Sequence, residues 1–235
     1  LRGKSQRFVR GLTVVQSRES TDASAASFEV WDDMGEFGEA LLQRDAGLFE
    51  EWFLRLHLGL SLDCDDTDRL ELVQRRLMDN ALSQARVLTH RDYMPRNLMP
   101  VLPGPAVLDF QDCVRGPMAY DAISLFKDAF LSWPLERVDG WLAKYHARAR
   151  QAGLPVPPLK TFLRDADWMG VQRHLKIMGI YSRLHHRDDK TKYLLDLPRF
   201  ITYLDEVLPR YPELKALQEL MEYRIKPALQ ARAIA

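Results

Sequence analysis

Thr89-His-Arg-Asp-Tyr-Met-Pro-Arg-Asn-Leu-Met99, with Val107-Leu-Asp-Phe-Gln-Asp112 close behind, is the stretch that decides how this chain folds. Arg86-Val-Leu-Thr89 leads into it as a short β-type run, and Ala106-Val-Leu-Asp-Phe110 is a second such run. Pro103-Gly-Pro105 supplies a turn between the two. Outward from this segment the texture is helical. Residues 38–58 place Leu41, Leu48, Trp52 and Leu56 at helical spacing. Asp63, Asp65 and Asp66 precede a second helical run to Ala85, where acids favour a helix N-terminus. After Gly116-Pro117, residues 118–132, 135–152, 160–186, 197–208 and 213–231 repeat the 3.6-residue apolar pattern, punctuated by Pro134, Pro155-Val-Pro-Pro158, Pro198 and Pro209. No internal repeat or low-complexity tract interrupts them. The expectation is an α+β fold, mostly α-helical, with a small β-ribbon around one irregular loop, and loops on rigid scaffolds are where chemistry concentrates.

That loop carries a consistent set of groups. His90-Arg91-Asp92, with Asn97 five residues beyond Asp92, fits the H-R-D-x-x-x-x-N pattern of phosphoryl-transfer catalytic loops. A carboxylate at 92 can take the proton of an attacking hydroxyl, and an amide oxygen at 97 can ligate a hard cation without adding another full charge. A second carboxylate, Asp109, completes a metal site when the short turn returns it beside Asn97. Two carboxylates and an amide converging on one point repel unless a divalent cation sits there, so magnesium is expected. His90 and Arg91 are expected to support the loop rather than react. Asp112 could brace the loop, join the metal site or be solvated. Asp121, opening a helix in Gly116-Pro-Met-Ala-Tyr-Asp121, is suited to capping that helix or to accepting hydrogen bonds from the loop backbone. Any one of these residues alone would be an ordinary surface Asp or cap; the string in its strand–loop–strand context is what is specific.

Bulk composition narrows the classes. The chain has 235 residues, of which 46% are hydrophobic and 28% charged, enough for a packed core. Lys plus Arg and Asp plus Glu are 33 each, so no global field points to nucleic acid or an anionic membrane. Cys64 and Cys113 stand far apart in no ligand-like spacing, which favours a reducing cytoplasm over a disulfide framework. No apolar run approaches the ~20 residues of a membrane span. The first eighteen residues hold Arg2, Lys4, Arg7, Arg10 and Arg18 without an acid. With no amphipathic run following, a fragment boundary is expected there rather than a transit peptide. Residues 1–33 are therefore read as an irregular or truncated N-terminal remnant, and 34–235 as one helical domain.

The run HRDYMPRNLM…VLDFQDCVRGPMAYDAISL resembles the aminoglycoside phosphotransferase family, whose signature is the D-x-x-x-x-N loop and a later metal-binding Asp. It is more similar still to bacterial cell-wall sugar kinases that phosphorylate the anomeric hydroxyl of N-acetylmuramate and N-acetylglucosamine. Leu48-Phe-Glu-Glu-Trp52, Trp168-Met-Gly-Val-Gln-Arg-His-Leu-Lys176 and Ser182-Arg-Leu-His-His-Arg-Asp188 carry that closer likeness, which spans about residues 38–215. The resemblance implies a protein-kinase-like C-terminal lobe, ATP and Mg2+ as cofactors, Asp92 as catalytic base, and Asn97 and Asp109 as metal ligands that also engage the nucleotide. It further implies a monomeric sugar kinase making a sugar 1-phosphate in peptidoglycan recycling. The sequence departs from the family at its N-terminal side. The only lysine before His90 is Lys4, no G-x-G-x-x-G occurs, and about 37 residues precede the first helix, too few for a five-stranded nucleotide lobe. The same chemistry could also serve an aminoglycoside or choline-type alcohol, and a lobe lacking its nucleotide grip could be a non-catalytic sugar-binding module. Asp109-Phe-Gln111 in place of D-F-G, with no A-P-E, argues against a protein kinase.

Acceptor contacts are sought on the helix near 165–186. Gln172, Lys176 and Arg183 share a face at i, i+4 and i+11, with His174, His185 and His186 nearby, a donor set suited to sugar hydroxyls, an acetamide or a lactyl carboxylate. A solvated basic stripe is the competing expectation. His185-His186 needs further ligands to bind zinc, and no third candidate is spaced for it. Trp52, Trp133, Trp141 and Trp168 are expected in the core.

Overall fold

The computed structural model describes residues 35–101 and 105–234. The expectation for residues 1–33 lies outside them, as does most of the Pro103-Gly-Pro105 turn. In chain order the elements are α1 (Glu39–Leu48), which continues as π-helical turns over Phe49–His57, α2 (Cys64–Ser83), β1 (Arg86–Thr89), β2 (Leu98–Met99), β3 (Ala106–Val107), β4 (Val114–Pro117), α3 (Ala119–Phe126), α4 (Leu135–Gln151), α5 (Leu159–Asp188), α6 (Leu197–Val207), α7 (Lys215–Leu220) and α8 (Lys226–Ile234). They form two compact units, residues 35–38 with Ala81–Gly170, and Glu39–Asn80 with 171–234.

The first unit holds the four strands found among the described residues. β1 pairs antiparallel with β4, Arg86 opposite Pro117 and Thr89 opposite Val114. β2 pairs antiparallel with β3, Leu98 opposite Val107. This corrects the expected ribbon: the 86–89 run does not pair with the 106–110 run, and each has a different partner. The second run also ends early, at Val107, because Asp109 turns into the left-handed region at φ 66° and a 3-10 turn follows over Phe110–Asp112. Gly116 permits the β1–β4 pairing, since a Cβ there would stand 2.7 Å from Thr89 Oγ1. On the far side of β4, Arg115 donates its N–H to Gly35 O and accepts from Phe37 N–H, each at 2.9 Å. Phe37 meets Tyr120 edge-on at 5.1 Å, and Ile123, Phe126, Tyr145 and Phe162 complete a buried core. The helix expected over 118–132 stops at Phe126, and Asp128 Oδ2 then accepts the N–H groups of Phe130 and Leu131 in a turn.

The second unit is helical. Its first helix buries Leu42, Asp45, Phe49, Phe53 and His57, one residue off the expected Leu48–Trp52–Leu56 stripe, and Leu56 is exposed. The π turns over Phe49–His57 continue in four-residue steps the inward face that Leu42 and Asp45 begin, so the one-residue offset is already set within α1. Gly179 sets the approach of α5, because a Cβ there would lie 2.4 Å from the Leu48 carbonyl carbon. Phe200, Leu204, Leu214 and Leu217 close this core. Of the four tryptophans expected inside, Trp168 is buried, whereas Trp52, Trp133 and Trp141 are half-buried. No helix among the described residues is long and apolar enough to cross a membrane.

Candidate active site

The site is built in the first unit, where β1 ends and the chain turns sharply. Arg91 adopts φ 71°, a left-handed conformation costly for a residue with a side chain. The buried Asp121 carboxylate holds it there. Its Oδ2 accepts the His90 N–H at 2.7 Å and its Oδ1 accepts the Arg91 N–H at 3.0 Å. Charge-assisted bonds of this kind are among the stronger ones available to a loop. Asp121 sits two residues inside the start of α3 and does not cap it; the helix instead presents the Ala119 N–H to Gln84 Oε1 at 3.2 Å. Arg91 also donates from Nη1 to the Asp112 carbonyl at 3.5 Å, while the Asp112 side chain is exposed.

Asn97 is buried at the end of a 3-10 turn, Pro95–Asn97, directly before β2. Its Nδ2 donates to the Asp92 carbonyl at 2.9 Å, which closes the loop on itself and leaves Oδ1 as the amide's ligating atom. Leu108 then joins the loop to the Asp109 segment from both sides. Its N–H donates to the Asn97 carbonyl at 2.9 Å, and its own carbonyl accepts from His90 Nε2 at 2.9 Å. His90 therefore carries its proton on Nε2, and its ring meets the buried Tyr93 edge-on at 6.0 Å. Burial and the nearby Asp121 charge push the Tyr93 phenol well above its usual range, so it stays protonated. Asp109 is exposed one residue beyond Leu108, its Oδ1 accepting from Gln111 Nε2 at 2.8 Å. One backbone bond and one from the His90 ring thus stitch the Asp92 and Asn97 loop to the residue next to Asp109. A half-buried carboxylate, an amide oxygen and an exposed carboxylate form a donor set that suits a hard divalent cation.

The α5 donors lie in the second unit. His174 is 1% exposed and stacks on Tyr203 at 4.8 Å. Gln172 is buried, and Lys176 pairs with the buried Asp45 at 3.2 Å. Asp45, Gln74, Gln172 and Lys176 line one small cavity. Neither a solvated stripe nor an open donor face describes this part of the helix. Arg183, one turn and more beyond, is half-buried. A third histidine does join the pair, contrary to the expectation from spacing: His57, on the π turns, stands beside His185 and His186. Burial, Arg232 and the other two imidazoles depress the His57 pKa from 6.5 to about 4. Nothing in sequence spacing announces a ligand 129 residues away.

A mostly helical unit that presents such a loop beside a short β-ribbon has the form of the helical lobe of kinase-like phosphotransferases. Comparison with known proteins agrees. A profile of the phosphotransferase enzyme family matches residues 9–159, and the chain belongs to that family. The chain is 52% identical over 186 residues to the N-acetylmuramate/N-acetylglucosamine kinase of Pseudomonas putida, a match covering 79% of this chain and 55% of that protein. The Pseudomonas aeruginosa protein of the same name is 50% identical with the same coverage, and that of Neisseria meningitidis is 43% identical over 187 residues, 79% of this chain and 56% of that protein. The chain spans about half the length of these relatives. The ADP-bound crystal structure of aminoglycoside phosphotransferase APH(2'')-Ib superposes with a TM-score of 0.50 at 14% identity, covering 85% of this chain and 62% of that one, a likeness of fold.

Proposed function

We propose that this chain supplies the catalytic lobe of an ATP-dependent kinase acting on a small-molecule hydroxyl, with the anomeric hydroxyl of N-acetylmuramate or N-acetylglucosamine as its acceptor. The observation that carries this is the double clamp on Leu108, which ties the Asp92–Asn97 loop to the Asp109 segment. The names of the relatives at 43–52% identity favour an amino-sugar acceptor. Asp92 accepts the proton of the attacking hydroxyl, and the Asp121-braced turn holds that carboxylate in position. Asn97 Oδ1 and Asp109 would hold Mg2+, which when bound neutralises charge on the phosphates. His90 orients the Asp109 segment through Leu108. The reading places the activity in the cytoplasm.

The test is a chimera that joins the upstream half of the Pseudomonas putida relative to residues 35–235 of this chain, assayed with labelled ATP and an acceptor panel. Label should pass to N-acetylmuramate and N-acetylglucosamine with kcat/KM at least ~100-fold above kanamycin or choline, a gap of about 2.7 kcal/mol in transition-state binding. Equal or better transfer to an aminoglycoside or choline would contradict the acceptor assignment.

A further inference from the structure

Outside the candidate active site, the densest group of potential ligands is a trio of imidazoles in the second unit. One ring nitrogen from each of His57, His185 and His186 lies within 4.8 Å of the others, and among the described residues this is the one cluster of three such groups. His57 Nδ1 and His186 Nε2 stand 3.3 Å apart. Two nitrogens ~2.0–2.1 Å from a tetrahedral zinc ion stand roughly 3.3–3.4 Å from each other, so this pair already has the spacing of two ligands on one ion. At that distance the two atoms cannot both carry a proton, so at least one points a lone pair at the other. An imidazole offering a lone pair is the ligating form.

His185 completes the set. Its Nδ1 is 3.2 Å from Thr191 Oγ1, and in the tautomer protonated on Nδ1 that hydroxyl accepts and Nε2 carries the lone pair for an ion. Metal-bound histidines are commonly oriented in this way by a partner on the second nitrogen. The ring of His57 is fixed from below, stacked on Phe53 at 6.0 Å between centroids, and is 7% exposed, whereas His186 is open to solvent. A buried ligand on a rigid helix with a solvent-open partner gives the ion both a fixed anchor and an entry path. Arg232 acts on both His57 and His186 as a positive neighbour and works against a cation, so the affinity falls below that of a site with a neutral rim.

We infer that His57, His185 and His186 form a three-histidine site for a borderline divalent cation, Zn2+ in the first instance, with solvent as the fourth ligand. Imidazole donors without carboxylate select zinc, copper or nickel over magnesium and calcium. The site joins the end of the π turns to the last turn of α5, segments 129 residues apart, and acts as a staple within that unit. It stands independently of the phosphotransfer assignment.

The test titrates Zn2+ into the untagged 235-residue chain after treatment with a chelator and dialysis, followed by calorimetry, and repeats it with Co2+ as an absorbing substitute. One ion per chain is expected, with the strong visible absorption of a four-coordinate cobalt centre. His186→Gln changes an exposed side chain, so the fold persists, as circular dichroism would verify, and Zn2+ should bind at least ~10-fold more weakly. Thr191→Val should cost ~10-fold by releasing His185. Uptake well below one equivalent, or an affinity unchanged in both variants, overturns the site.

Discussion

A single carboxylate, that of Asp121, satisfies two consecutive backbone amides at the sharpest turn of the catalytic loop. The amides belong to His90 and to Arg91, whose backbone sits in a left-handed conformation that its side chain disfavours. Removing the acceptor leaves two donors unsatisfied, each at ~1–3 kcal/mol when buried. Asp121→Ala should therefore destabilise the 235-residue chain by about 2–5 kcal/mol, read as a fall in urea midpoint at constant m-value. A loss under about 0.5 kcal/mol would show that solvent takes over these bonds. His90 acts at the same scale. The H-R-D-x-x-x-x-N spacing of this loop and the later Asp109 were legible in the sequence as local patterns. That the His90 ring bonds the Leu108 carbonyl, rather than merely packing beneath the loop, depends on a contact 18 residues away that no local pattern encodes.

At the scale of elements, helices were legible and strand pairing was not. The 3.6-residue apolar pattern located α1, α2 and α4–α6 because an amphipathic helix writes its buried face into local spacing. Val114-Arg-Gly-Pro117 contains both a glycine and a proline and reads as a turn, yet it is the partner of β1. Gly116 is there because the strands approach too closely for a Cβ against Thr89, a non-local requirement. Asp109 likewise ends β3 by a backbone twist that Asp tolerates and that periodicity cannot reveal. The buried stripe runs one residue off the expected one from Leu42 onward and ends on His57, the histidine that spacing had discounted. Gly179 gives the clearest element-scale prediction. A methyl group there meets Leu48 backbone at 2.4 Å, and backbone cannot rotate away. Gly179→Ala should lower stability by ~1–3 kcal/mol or more through overpacking, despite the better helix propensity of alanine. A gain in thermal midpoint would contradict this packing.

For the whole molecule, charges balance at 33 and 33 and the sequence pI is about 7.2. Colloidal repulsion is then weakest near neutrality, so solubility in precipitant should pass through a minimum near pH 7 and rise on both sides. A steady trend across that range would contradict the balance. The first unit carries the groups proposed for phosphoryl transfer, and the second carries the histidine trio. Because the chain spans about half the length of its relatives, its chemistry is tested in the chimera described above. The central claim is that Asp92 takes the acceptor's proton. The most direct measurement is the single-turnover rate of the Asp92→Asn chimera with saturating N-acetylmuramate and Mg-ATP. The account predicts a fall of ~10²–10⁴-fold relative to the parent chimera, with acceptor affinity little changed. A rate within about threefold of the parent would contradict it.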